Sequence, residues 1–226
     1  MSNYTGTDNL EVMAEAVNYN RFLLSLIRRH ARRTDAIVDF GSGIGTFARE
    51  LRDNGYRVHC IEPDAAQAAV ISAAGLPVSA SLAALQDDSV DYLYTLNVLE
   101  HIEDDGAALR ELRAKLKPDG KLLVYVPAFQ VLYSSMDRKV GHFRRYTRRE
   151  LTGKLRQAGF HVTTARYADS IGFFASLVFR FAGGDSGTLN RKALILYDRI
   201  VFPLSRLCDF LFSPFFGKNV VAVARR

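Results

Sequence analysis

The chain has 226 residues, 48% hydrophobic, 11% aromatic and 24% charged, fractions that exclude disordered, collagenous and low-complexity proteins. The length suits one domain with a sizeable core, and two cysteines, Cys60 and Cys208, are too few for a disulfide framework or a cysteine metal site. Thirty basic against 24 acidic residues give a net charge of +6 and a pI near 9.4, which favours anionic partners: a phosphate-bearing substrate, a membrane surface or a nucleic acid.

The opening MSNYTGTDNLEV has neither the basic head nor the apolar centre of a signal peptide, and the low cysteine count makes a reducing cytoplasm the expected location, with peripheral contact at the inner membrane face as an option. Residues 9–32 read as a helix, with Leu23, Leu24 and Ile27 on one face and Arg28, Arg29, Arg32 and Arg33 at its basic end. AIVDF is a short apolar strand that meets GSGIG and the helical TFARELRDNG, stopped by Asn54-Gly55. RVHCIEPD repeats the pattern and leads into the alanine-rich AAQAAVISAAG. PVSAS is a weak third strand; VDYLYTLNVLEH is a fourth, followed by the helix DDGAALRELRAKL and a KPDG turn. KLLVYVPA is the cleanest strand. Beyond a charged, irregular stretch come the helix TRRELTGKLRQAG, the strand FHVTTARYA and a last strand, NVVAVAR. Strand alternating with helix predicts an α/β fold with a doubly wound parallel sheet, which binds ligands at the carboxyl ends of its strands. Arg180, Pro203, Arg206 and Asp209 interrupt the most apolar segments, so none reaches the roughly 18 residues of a membrane span.

The first strand-to-helix loop is Asp39-Phe40-Gly41-Ser42-Gly43-Ile44-Gly45. Its glycines let backbone approach a ligand at a helix N-terminus. Their spacing, G-x-G-x-G, is not the G-x-G-x-x-G of dinucleotide sites. Glu62 closes the next strand about 20 residues on, where a carboxylate can accept two ribose hydroxyls.

DFGSGIG, IEPD and NVLEHIEDDGAALRELRAKLKPDGKLLVYVP together resemble the class I S-adenosylmethionine-dependent methyltransferases over residues 35–165. GHFRRYTRREL is similar to a segment of bacterial small-molecule members, of the type 11/12 kind. The resemblance implies a Rossmann-like seven-stranded sheet with an antiparallel last strand, and S-adenosylmethionine as cofactor. It places Asp39 near the amino and carboxypropyl end, with Gly41, Gly43 and Gly45 as the wall beneath. It gives the ribose to Glu62, the adenosine flank to Pro63 and Asp64, and the methionine arm to Asn97 and Val98. Where the family often carries an acidic residue for the adenine amino group, this chain offers Ser81 and Leu82.

Methyl transfer from a sulfonium depends on positioning, and needs a base only if the acceptor must lose a proton. Candidates for that chemistry are His142, Tyr146 and His101, with Glu100 and Asp137 close by in sequence. Tyr19, Arg144 and Arg145 are candidate acceptor contacts, and no metal site is expected. Residues 138–149 carry six positive charges with interleaved aromatics, a pattern compatible with RNA. However, strand four ends in NVLE rather than the N-P-P-aromatic of base-amine methyltransferases, and no Pro-Cys nucleophile is present. A small anionic acceptor suits these arginines better.

Residues 170–218 separate the last two strands and hold nine of the 15 phenylalanines. They read as two helices, the second broken at Pro203. So apolar an insertion forms extra core, pairs two subunits, lines an acceptor pocket or lies on a membrane. The expected organisation is a single methyltransferase domain over 1–226, with an N-terminal helical arm at 1–33 and this insertion capping the acceptor side. The expected acceptor is a small molecule, apolar or lipid-linked. Rival readings are a nicotinamide-dependent oxidoreductase, for which no Tyr-x-x-x-Lys pair is present, and a non-catalytic cofactor-binding partner of another enzyme.

Overall fold

The computed structural model describes residues 12–182 and 191–226; the predicted helix start at residue 9, most of the opening segment and residues 183–190 of the insertion lie outside the described residues. Seven strands form one sheet in the order β3-β2-β1-β4-β5-β7-β6. They are β1 (Ala36–Phe40), β2 (Arg57–Ile61), β3 (Val78–Ser79), β4 (Val90–Leu96), β5 (Leu116–Pro127), β6 (His161–Ala168) and β7 (Asn219–Arg225). The first five are parallel; β7 runs antiparallel to both β5 and β6. Asp39 pairs with Cys60 on one side and Tyr94 on the other, so the carboxyl ends of β1, β2 and β4 share one edge. Strand order reverses beside β1, which places a ligand crevice at that edge.

Each sheet face carries an apolar layer. On one, α4 (Asp105–Lys115) and α6 (Arg148–Gln157), with the short helix α5 (Ser135–Lys139) between them in the chain, contribute Leu109, Leu112, Leu151 and Leu155 against Val124, Val126 and Ala222. On the other, α1 (Val17–His30), α2 (Thr46–Asp53) and α3 (Ala65–Ala73) pack Phe22, Ile27, Leu51 and Ile71 against Tyr92 and Tyr125. Local chemistry fixes the starts of these helices. Asp64 accepts from the backbone N–H of Ala66 and Gln67, Asp104 from Ala107, and Thr147 and Glu150 form a reciprocal capping box.

The insertion forms α7 (Ser170–Ala182), α8 (Arg191–Leu196), a π-turn (Tyr197–Val201) and α9 (Phe202–Phe212). Buried aspartates root it. Asp209 accepts from the backbone N–H of Asp169 (3.0 Å) and Ser170 (2.8 Å), and Asp169 accepts from the Tyr197 hydroxyl at 2.6 Å. Asp198 caps α1 from 180 residues away, accepting from the N–H of Asn18 (3.0 Å) and Tyr19 (2.8 Å). The Phe202 ring completes the layer around Phe22 and Tyr19, a burial that contributes about 2 kcal/mol or more.

Four expectations need correction. The first helix begins at Val17, with a turn at 15–16 that separates it from what precedes. PVSAS shrinks to a two-residue strand, since Val78 and Ser79 alone pair with β2. KPDG is taken up within β5 as an irregularity in the ladder: pairing with β4 slips between Val90–Leu116 and Tyr92–Lys121, and Asp119 sits at φ 63°. The second insertion helix does not break at Pro203. The wider π-turn ahead of it absorbs the missing N–H, leaving Pro203 in the first turn of α9, where proline is tolerated.

Candidate functional site

The loop after β1 folds back on β2: the N–H groups of Gly41 and Ser42 both donate to the Ile61 carbonyl, at 2.9 and 3.2 Å. Gly41, Gly43 and Gly45 all have positive φ. At Gly41 the need is also steric, because a Cβ there would lie 2.3 Å from Val98 Cγ2. Asn97 itself sits at φ 55°, a conformation that asparagine tolerates better than most residues, and its N–H donates to the Tyr125 carbonyl at 2.7 Å. Backbone from β1 and β4 thereby meets face to face over the strand ends.

Glu62 is buried, and each of its oxygens takes a backbone N–H: Gly43 at 2.7 Å and Asp64 at 3.0 Å. Burial raises its pKa, and those two bonds oppose the rise. A carboxylate oxygen offers more than one lone-pair direction, so Glu62 is oriented yet retains acceptor capacity for two vicinal hydroxyls. Pro63 and Asp64 flank it on the exposed side. Asp39 is buried too. Its pKa is pushed up to about 7, chiefly by burial and further by Glu62, while the Tyr94 hydroxyl works the other way. A ligand ammonium would convert it to a stable carboxylate. These residues therefore fit S-adenosylmethionine: two hydroxyls at Glu62, a cation at Asp39, and a glycine-walled floor between them. Ser81 is exposed and Leu82 buried at the start of a short 3-10 turn beyond β3.

On the far side of Asn97 lies a second cluster. Glu100 is fully buried and neither carboxylate oxygen has a hydrogen-bond partner; burial pushes its pKa up to about 8. His142 places Nδ1 2.7 Å from Asp137 Oδ1 and Nε2 3.9 Å from Glu100 Oε1. The His101 ring stands 4.5 Å from that of His142 at 80°, and partial desolvation of this otherwise exposed side chain, together with His142, lowers its pKa to about 4. Arg145 grips Asp137 with a two-pronged fork, Nε to Oδ1 and Nη2 to Oδ2, both at 2.9 Å. Hydrogen bonds and the arginine hold the Asp137 carboxyl well below the usual carboxylate range despite its burial. Lys218, at the foot of β7, is half-buried in the field of Asp169, Arg145 and Asp137.

The structure thus brings His142, His101 and Arg145 together with Glu100 and Asp137. It places Arg144 and Tyr146 elsewhere, on Asp105: Arg144 Nη1 at 3.0 Å, and the buried Tyr146 hydroxyl donating to Oδ2 at 2.8 Å. The Tyr19 hydroxyl lies against Tyr125 and Asn97, and burial pushes it up to about 12. Lys218, Asp169 and Asp198 were not singled out from sequence. Their roles depend on contacts between segments far apart in the chain, and no local spacing marks them.

Sheet order, glycine-walled floor and buried carboxylates define a class I S-adenosylmethionine-dependent methyltransferase, an enzyme with that cofactor. A family model described as a methyltransferase domain matches residues 13–165, and the chain belongs to that family. Solved structures share the fold. A chain from the complex of the Haloferax volcanii Trm112 methyltransferase activator with a protein described as a methyltransferase superposes with a TM-score of 0.68 at 18% identity, covering 97% of this chain and 95% of that one. Geranyl diphosphate C-methyltransferase from Streptomyces coelicolor, solved with Mg2+, geranyl diphosphate and S-adenosyl-L-homocysteine, gives 0.67 at 16%, covering 100% and 86%. A SAM-dependent methyltransferase from Archaeoglobus fulgidus gives 0.62 at 17%, covering 91% and 94%. No curated protein matches this chain in sequence.

Proposed function

We propose that the chain methylates a small acceptor that is apolar and carries an anionic group, and that it meets this acceptor at a lipid surface on the cytoplasmic side. The observation that carries the reading is a stripe along α8, the π-turn and α9. Leu196, Ile200, Leu204, Leu207 and Leu211, spaced four, four, three and four apart, all face solvent, and Phe210 beside them is 88% exposed. So large an apolar face calls for a partner. The net charge of +6 favours an anionic one. The buried side of the same helices roots on Tyr19 and Asp169 beside the strand ends, so an acceptor leaving a bilayer has a short path to the crevice. No described helix is long and apolar enough to cross a membrane.

Bound S-adenosylmethionine supplies an electrophilic methyl carbon on a sulfonium. In this reading Glu62 holds the ribose hydroxyls and Asp39 the ammonium, over the wall of Gly41, Gly43, Gly45, Asn97 and Val98, with Pro63, Ser81 and Leu82 toward the adenine. Arg145 and Lys218 supply positive field for the acceptor's anionic group, with Tyr19 against its apolar part. His142, held at Nδ1 by Asp137, takes a proton from the acceptor at Nε2. His101 keeps the second imidazole neutral beside it, and Tyr146 positions the segment from below by tying it to Asp105. Residues 1–226 work as one domain.

Flotation with anionic and zwitterionic vesicles tests the surface. Binding to the anionic vesicles, reduced at least tenfold in Leu207→Glu/Phe210→Glu, is the expected outcome. A stable dimer that ignores vesicles and dissociates in that variant would assign the stripe to a second copy of the chain and overturn the lipid reading.

A further inference from the structure

Glu100, His101 and His142 each offer one ligand atom, and the three atoms lie within 4.8 Å of one another. We infer that they form a site for a first-row divalent cation of the zinc type, on the acceptor side of the crevice. This inference rests on the acceptor-side reading above and changes one assignment within it, the role of His142.

Three observations point the same way. Glu100 is a fully buried carboxylate with both oxygens unpartnered, an arrangement that needs a proton or a cation to be tolerated. His142 Nε2 stands 3.9 Å from Glu100 Oε1, too far for a hydrogen bond and a little more than the roughly 3.4 Å that separates two ligand atoms around a four-coordinate ion with bonds of about 2.0–2.2 Å, so a small side-chain shift closes it. His142 also shows the outer support typical of a metal-binding imidazole. Its Nδ1 is engaged by Asp137 at 2.7 Å, which leaves Nε2 as the free lone pair, and Asp137 is itself fixed by the Arg145 fork and the Ser134 N–H at 2.8 Å.

Two imidazoles and one carboxylate are a borderline donor set that suits zinc and its first-row neighbours better than magnesium or calcium. Three protein ligands leave a fourth position open, and His101 is exposed while Glu100 is buried. A hydroxyl or anionic oxygen of the acceptor fits there. Coordination lowers the pKa of such a hydroxyl, the proton passing to water, so His142 acts as a ligand and need not take the proton itself. Cys60 and Cys208 are not part of the cluster, so no thiolate competes within it.

The test is calorimetric titration of the chelator-stripped full chain with Zn2+, with Co2+ absorption as a second readout of coordination geometry. One equivalent should bind in the micromolar range or tighter, and Co2+ should give the intense visible bands of a four-coordinate site. His101→Ala, at an exposed position that leaves the core intact, and His142→Ala should each weaken binding at least 100-fold. Asp137→Asn should weaken it about 10- to 100-fold. Glu100→Gln should do the same as the histidine variants; thermal melts identify any variant that fails to fold, and His101→Ala then decides. Absence of binding at 100-fold over a micromolar scale, or binding unchanged in both histidine variants, overturns the site. S-adenosylmethionine binding, measured on the same stripped protein, separates this failure from failure of the methyltransfer reading, which would stand with His142 as base.

Discussion

Gly41→Ala is the sharpest perturbation of the cofactor floor. The residue sits at φ 76°, where an L side chain costs about 1–2 kcal/mol, and the added Cβ would meet Val98 Cγ2 at 2.3 Å and Cγ1 at 2.8 Å. Overpacking of that kind typically costs about 1–3 kcal/mol, so the variant should lose roughly 2–5 kcal/mol in all. Val98→Ala removes both methyls and leaves only Val98 Cβ, at 3.1 Å, in front of the new atom. The double variant should therefore recover the steric part, a coupling of about 1–3 kcal/mol, while the backbone part remains. Urea unfolding of the cofactor-free chain followed by circular dichroism measures this, provided the slope with denaturant stays constant. S-adenosylmethionine affinity should follow the same pattern, lost in Gly41→Ala and partly restored in the double variant. Additive effects within about 0.5 kcal/mol would show that Val98 is not the obstacle and that the floor relaxes some other way.

Asp39→Asn should alter the pH dependence of stability. The folded-state pKa of about 7 lies above the ordinary 3.8, so the fold binds this proton more tightly than the unfolded chain does. Stability is full below about pH 4 and declines toward pH 7 by about 1.4 kcal/mol per unit, a loss on the order of 4 kcal/mol that the asparagine variant should escape. Parallel pH profiles for the two proteins, by urea unfolding between pH 4 and 8, would refute it; the variant should also bind S-adenosylmethionine more weakly at pH 8. Glu62→Ala should weaken that binding about 10- to 100-fold by calorimetry, a loss of roughly 1–3 kcal/mol in charge-assisted hydrogen bonds. Unchanged affinity would move the ribose elsewhere.

The geometry of the glycine loop and Glu62 was legible because its signals are local. GSGIG and Glu62 lie at the ends of adjacent strands, and the register of β1 on β2 follows from two short apolar runs. The second cluster was legible only as ingredients. Glu100 lies in a turn just beyond β4, while Asp137, His142 and Arg145 lie in the segment 135–147, and nothing in their spacing announces that Arg145 would grip Asp137 while Arg144, its neighbour, turns to Asp105. Tyr146 is a candidate for the chemistry in sequence, yet packing sends it inward onto Asp105. The insertion shows a different gap. Periodicity groups Leu204, Leu207 and Leu211 on one face, but only tertiary packing decides that Phe202 is buried and that stripe exposed. The π-turn before Pro203 was invisible because a proline in an apolar run signals a helix break as readily as a helix start.

The position of β7 bears on how the molecule is made. It follows every other strand in the chain yet lies between β5 and β6, bonded to β5 from Lys121 to Pro127 and to β6 from His161 to Ala168. A nascent chain that has emerged only as far as Lys218 therefore carries two open strand edges side by side, with the exposed leucines of α9 next to them. Such edges pair readily with a neighbouring chain. Slow translation across 170–218 would lengthen that window, and a chaperone or lipid surface covering the stripe would protect the nascent chain while β7 is still missing.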